Sequence, residues 1–320
     1  MAMPWVIGLD EAGYGPNLGP LVQAASAVWV PQPTDCVWQK LASVVAKVAD
    51  ARRGDARIWV DDSKKVHAHP QGDERLERTV LTLTTGQATT WEQWLGRHAI
   101  GDSLADLRGE SWFDGAFDLP WAASTSEIAA GHAAFVDACA TAGIQLGGIW
   151  AVITPTPRFN AWLDQDTSKG AVLARGVMAL LQATRQAIPG EDALEYAIDK
   201  QGGRHFYAPM LQTAFPDAWV TPISERASGS RYRLDGVERT IHLNFEPKAD
   251  GHHWTVALAS MVCKYLRELS MHQFNRFWQS HVSPLTVTAG YPVDAKRFYA
   301  QIQPAMARLG LSEAQVWRRK

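Results

Sequence analysis

The chain has 320 residues, is 46% hydrophobic and 20% charged, and carries a formal net charge of −2. Those values describe a globular chain with a substantial core, and they give no overall basic signature for nucleic acid, although a local groove needs positive charge only along the strand it holds. No apolar run reaches the ~18–20 residues needed to span a bilayer, the opening residues do not read as a signal peptide, and three dispersed cysteines (Cys36, Cys139, Cys263) argue against a disulfide framework or zinc knuckle and fit a reducing cytoplasm.

In chain order, residues 5–10 and 21–30 read as strands whose short Gly/Pro/Asn connection favours an antiparallel pair. Residues 38–48 read as a helix and 57–60 as a short strand. From 72 to 145 the pattern loosens, with helices expected at 74–83 and 127–140. A strand at 149–153 is followed by a helix over 168–188, with Ser168 as its N-cap, and by a strand at 194–198. Three strand-like runs occupy 217–247. Residues 254–278 form the strongest helix, with Val256, Ala259, Cys263, Leu266, Leu269 and Phe274 on one face. The tail, 294–317, reads as helical with interruptions at Pro304 and Gly310. One α/β domain over 1–320 is the simplest organisation, with insertions at 72–145 (a possible small lobe) and 205–245 (a possible basic β-hairpin). A monomer suffices.

The chemistry concentrates in Val6-Ile7-Gly8-Leu9-Asp10-Glu11-Ala12-Gly13-Tyr14-Gly15-Pro16. An apolar strand delivers two adjacent carboxylates to a sheet edge, and a glycine-rich turn lets a bulky, charged ligand approach the backbone. By itself this is as often an ordinary turn. Two further acids are similarly placed: Asp199 closes Tyr196-Ala197-Ile198, and Asp250 lies in Lys248-Ala249-Asp250-Gly251 just before the long helix. Together the four supply hard oxygen ligands enough for two divalent cations such as Mg²⁺ or Mn²⁺ in phosphoryl displacement.

Gly8-Leu9-Asp10-Glu11-Ala12-Gly13-Tyr14-Gly15-Pro16 resembles the signature of the ribonuclease HII (type 2 ribonuclease H) family, and Asp62-Ser63-Lys64-Lys65-Val66 resembles that family's D-S-K-K-L segment. Ala197-Ile198-Asp199, Lys248-Ala249-Asp250 with the following 257–264, and Gly290-Tyr291-Pro292 continue the match in order. The resemblance implies an RNase H-like fold, a central mixed five-stranded sheet flanked by helices. It implies a metal-dependent endonuclease that cuts RNA in RNA–DNA hybrids, or at ribonucleotides in DNA, leaving 3′-hydroxyl and 5′-phosphate ends. Metal-ligand and catalytic roles fall on Asp10, Glu11, Asp199 and Asp250. Substrate contacts fall on Gly13, Tyr14, Gly15, Lys64, Lys65, Lys264 and Tyr291.

The chain departs from the family where Tyr14 stands in place of an arginine between two glycines, losing a fixed charge and a planar donor fork. Spacings from Asp62 to Asp199 and from Asp199 to Asp250 are also long, which is where the two insertions fall. The second carries Arg226, Arg231, Arg233 and Arg239 around Tyr232. His252 and His253 follow Asp250 closely enough for a proton-shuttle role to be considered. The tail Gln315-Val316-Trp317-Arg318-Arg319-Lys320 shows no obvious clamp-binding motif. Alternatives to the ribonuclease reading are a non-cleaving nucleic-acid-binding paralogue and a DNA-directed repair or junction nuclease on the same fold.

Overall fold

The computed structural model describes residues 4–32, 34–52, 54–84, 88–166 and 168–319; Lys320 and the first three residues therefore lie outside it. The chain opens with β1 (Trp5–Ala12) and β2 (Leu21–Trp29), paired antiparallel as the short connection requires. The expected helix over 38–48 is a single turn, α1 (Val37–Lys40), after which β3 (Val45–Ala46) pairs parallel with β4 (Ile58–Trp59). The β-branched pair Val44-Val45 favours extended backbone, and Ile58 N–H donates to Val44 O at 3.0 Å in place of a helical partner.

Six helices and a strand follow. They are α2 (Ser63–His67), α3 (Gly72–Leu83), α4 (Trp91–His98), α5 (Ser103–Arg108), α6 (Thr125–Ala142), β5 (Gln145–Thr154) and α7 (Thr156–Asp166). Next come α8 (Lys169–Ala187), which Ser168 caps by accepting from Ala171 N–H, β6 (Leu194–Asp199) and α9 (Ala208–Ala214). The hairpin β7 (Trp219–Arg226) and β8 (Gly229–Asp235) leads into β9 (Ile241–Glu246), the 3₁₀ turn Ala249–Gly251 and α10 (Trp254–His281). The chain ends in α11 (Pro292–Leu309), which runs through Pro304 and stops at left-handed Gly310, and α12 (Glu313–Val316).

The sheet is mixed and flanked by helices, with strand order β5-β2-β1-β6-β9-β8-β7. It has seven strands where five were expected. The extra two are the 219–235 hairpin, which pairs antiparallel with β9 and so covers an edge that β9 would otherwise leave open. Within that hairpin Tyr232 is fully buried and Arg233 pairs with Asp235 at 2.9 Å, while Arg226, Arg231 and Arg233 are exposed; Arg239 lies beyond it, before β9, and donates to Ile188 O.

Two apolar layers sandwich the sheet. One joins β2 to α10, α3 and α6, and draws Leu76, Val80, Trp91, Trp94 and Leu95 of the 72–145 region into the same cluster as Leu258 and Val262. The other joins the opposite face to α8 and α9. Because both its sheet side and its helix side are covered, α10 is buried nearly all round rather than along a single stripe. Gly8 makes this close fit possible: a Cβ there would stand 2.2 Å from the backbone of Thr255 and Val256. The absence of a side chain lets α10 lie flush against β1.

Candidate active site

β1 and β6 run parallel, with Leu9 opposite Ile198. One residue further on, the register brings Asp10 level with Asp199 at the carboxyl ends of neighbouring strands, where open α/β sheets bind ligands. The 3₁₀ turn after β9 brings in Asp250, and Ala249 N–H donates to Asp199 Oδ1 at 3.0 Å, tying the two segments together. The four carboxylates share one cleft of about 580 Å³. Gly13, Tyr14, Gly15, Lys64, Lys65, Lys264 and Tyr291 line it too, so the residues expected from the sequence to hold metal or contact substrate line the same space.

The electrostatics are those of crowded, desolvated acids. Burial pushes the Asp10 carboxyl well above the usual carboxylate range, and Glu11 and Asp199 add to the shift while Ser260 hydrogen-bonding opposes it. Glu11 is pushed up to about 7 by burial and by Asp199, against the pull of Lys64. Asp199 is raised by burial and by Asp250, against the Ala249 N–H. Asp250 is raised by burial and by Asp62, with Lys64 and Lys65 opposing. None of the four forms an ion pair among the described residues. A set of buried, mutually repelling hard oxygen donors without side-chain counter-ions fits divalent cations.

These acids have not drawn together as ligands around a single point. Among the described residues, the one group of three histidine or carboxylate side chains with all ligand atoms within 4.8 Å is His67, Asp73 and Glu268, at the cleft's margin. There His67 Nε2 lies 3.4 Å from Asp73, and Lys264 Nζ lies 2.5 Å from Glu268. Lys264 is therefore held by Glu268 rather than by any of the four strand-end acids.

The other lysines sit on α2, whose N-cap Asp62 accepts from Lys64 N–H at 2.9 Å. Lys65 is exposed, 3.5 Å from Asp61, whereas Lys64 projects its charge toward Glu11 and Asp250. Tyr291 is 55% exposed at the start of α11 and Tyr14 is 36% exposed on the loop, so two phenol rings stand at the cleft mouth. Neither His252 nor His253 lines the cleft, and His253 Nε2 is 2.5 Å from Glu246.

Sequence reasoning passed over Ser260, Arg267 and Glu268, which also line the cleft. All three belong to α10, whose regular apolar spacing drew attention to its buried face instead. It also passed over Arg318, which donates through Nη2 to Gly13 O at 2.5 Å and to Pro16 O.

No protein-family model matches the chain, and no characterised sequence does either. Solved structures resemble it at low identity. Ribonuclease H2 from Pyrococcus horikoshii OT3 is 16% identical with a TM-score of 0.48, over 98% of this chain and 92% of that one. Bst-RNase HIII in complex with Mn²⁺ is 16% identical with a TM-score of 0.43, over 99% of this chain and 66% of that one. The RNase HII of Archaeoglobus fulgidus, solved in a PCNA:RNase HII complex, is 12% identical with a TM-score of 0.40, over 99% and 94%. The expectation that this chain's tail lacks a clamp-binding motif gains nothing from that neighbour. Here the tail is folded back: Asn160 Nδ2 donates to Trp317 O at 2.9 Å, and Asn160 Oδ1 accepts from Arg319 N–H at 2.9 Å. No helix among the described residues is long and apolar enough to cross a membrane.

Proposed function

We propose that this chain is a divalent-metal-dependent endonuclease of the ribonuclease HII type, hydrolysing RNA in RNA–DNA hybrids or at ribonucleotides in DNA to leave 3′-hydroxyl and 5′-phosphate ends. The observation that carries this reading is the gathering of Asp10, Glu11, Asp199 and Asp250, from three separate segments, in one cleft also lined by four lysines and an open glycine loop. Asp10, Glu11, Asp199 and Asp250 would hold Mg²⁺ or Mn²⁺, two ions being the number that in-line displacement uses. The ions supply the charge that activates water and stabilises the leaving oxygen. Ala249 N–H orients Asp199 for that role.

Lys64, with no carboxylate within ion-pair distance among the described residues, and the exposed Lys65 attract backbone phosphates. Gly13 and Gly15 line the same cleft, where their backbone amides would bind phosphate or a 2′-hydroxyl, the group that separates RNA from DNA. Tyr291, exposed at the cleft mouth, offers its ring to the sugar at the RNA–DNA junction.

A second reading is favoured by Tyr14, which brings no charge to the loop: a DNA-directed nuclease on the same scaffold. One cleavage panel tests both. Purified protein with Mg²⁺ or Mn²⁺ is given an RNA–DNA hybrid, a duplex with one ribonucleotide and its all-deoxy counterpart. Cleavage of the first two alone is expected. Cleavage of the all-deoxy duplex moves the assignment to the second reading, and no cleavage of any substrate with either metal ends both.

A further inference from the structure

Behind the loop at 13–16 lie two guanidinium groups in the protein interior. Arg267 of α10 is 3% exposed and donates to Pro20 O, Leu18 O and Ala289 O at 2.7, 3.1 and 3.0 Å. Arg318 from the C-terminal tail is fully buried over the Phe159 ring, 4.8 Å from its centroid. It is held there by Asn17, whose backbone O accepts from Arg318 N–H at 2.8 Å and whose side-chain amide donates to Arg318 O at 2.9 Å.

Neither guanidinium is in an ion pair among the described residues, and the Nε and Nη1 of Arg318 have no hydrogen-bond partner. Glu268 draws on Arg267 from the cleft side, and the two arginines repel one another. Burying two cations whose hydrogen bonds go only to neutral carbonyls is costly, and such a cost is ordinarily met by an opposite charge close by, which Arg318 lacks among the described residues.

The loop geometry shows where that opposite charge belongs. The Gly13 carbonyl is turned inward onto Arg318. In a trans peptide this turns the Tyr14 N–H the other way, toward the cleft. Gly13 has a φ of 86°, and a Cβ there would meet Pro20 O at 2.6 Å and Arg267 Nη1 at 2.9 Å, so the loop is pressed tightly onto its cationic floor. On the outer side Gly15 has nothing within 4 Å of where a Cβ would stand.

We infer that Arg318 is a positioning residue for substrate: from beneath the loop it supplies the positive charge that Tyr14 does not, drawing a backbone phosphate of the nucleic acid onto the outward face of Gly13–Gly15. The C-terminal tail is thus part of the substrate-binding machinery, although it never touches substrate. This inference rests on the nuclease reading above.

The test compares Arg318→Met, which keeps a long unbranched side chain and removes the charge, with Arg318→Lys, which keeps the charge and loses the fork. Steady-state cleavage of the single-ribonucleotide duplex is measured across a salt series, alongside thermal melting of each protein. Arg318→Met is expected to raise KM about 10-fold with kcat changed less than about 3-fold, and to make log KM less steep against log salt by up to about one unit. Arg318→Lys is expected to recover most of both effects.

Equal KM and equal salt slope in Arg318→Met and wild type overturn the inference, as does Arg318→Lys behaving no better than Arg318→Met, which marks a purely structural brace. If Arg318→Met does not fold, Arg318→Lys decides alone: a near-wild-type salt slope supports the role and a lost one overturns it. Failure of the wild type to cleave any substrate in the panel instead removes the nuclease reading itself.

Discussion

Asp10 and Tyr14 are separated by only three residues, yet they are positioned by different means. Asp10 lies near the end of β1, a strand bonded on one side to β2 and, up to Leu9, on the other to β6, with α10 lying flush on Gly8. Its place follows from the sheet, and the neighbouring acid Asp199 is fixed by the same register. Tyr14 stands on a loop whose carbonyls are held from far along the chain, Pro20 O by Arg267, 247 residues later, and Pro16 O by Arg318, 302 residues later. The first arrangement resists change at single positions, because many ladder bonds hold each residue. The second depends on two cations and can drift in sequence wherever those cations remain. In the proposed reading, chemistry is built into the sheet and recognition is delegated to the loop, so the two should be separable by mutation.

The largest expected effect is on the strand-end side. Asp10→Asn or Asp199→Asn should lower kcat by at least ~10²–10³-fold, given the several kcal/mol of charge stabilisation that metal ions contribute to such reactions. Both proteins should stay folded, with metal-free melting temperatures equal to or above wild type, because each change removes one of several mutually repelling buried charges. A variant that loses activity only by unfolding would break the comparison.

Next in size is a pH effect on stability. Glu11 has its folded pKa raised from 4.5 to about 7, mainly by burial. An acid raised on folding binds a proton in the native state between those two values, so stability is fully present below about 4.5 and lost as pH rises to about 7. The shift corresponds to about 3 kcal/mol. Denaturant unfolding in chelator should therefore show wild type losing more stability than Glu11→Gln between pH 4.5 and pH 7. Parallel pH curves for the two proteins would contradict the burial account, and added Mn²⁺ should stabilise wild type more as pH rises.

The strand-end acids were legible in the sequence because each closes or follows an apolar run, so local pattern and chemistry coincide at Asp10, Glu11 and Asp199. The glycine loop was legible for the same reason. Arg318 was not, since nothing in Trp317-Arg318-Arg319 distinguishes a buried guanidinium from a solvated one until the tail is seen against Asn17 and Phe159. Likewise, 38–48 has enough apolar residues for a helix, but Val44 and Val45 find strand partners in a segment more than ten residues later. The two added sheet strands, by contrast, were visible as strand-like runs; what the sequence could not supply was that β8 would pair with β9 and enlarge the sheet.

The smallest expected effect, and the sharpest for the comparison, comes from Tyr14→Arg. Tyr14 is 36% exposed, with Lys169 Nζ donating to its carbonyl at 3.2 Å, so a longer side chain has room at the cleft mouth. A guanidinium there would add a charged donor fork on the outer face of a loop already underlain by Arg267 and Arg318. If the buried pair supplies most of the attraction, the added arginine should lower KM for the single-ribonucleotide duplex by only about 3-fold, since an exposed charge is screened and contributes up to about 1 kcal/mol, while kcat stays near wild type. Steady-state kinetics on that duplex decides it. A change in kcat as large as the change in KM would mean that the loop acts on the carboxylates as well as on the bound strand, and that the sheet and the loop are one device rather than two.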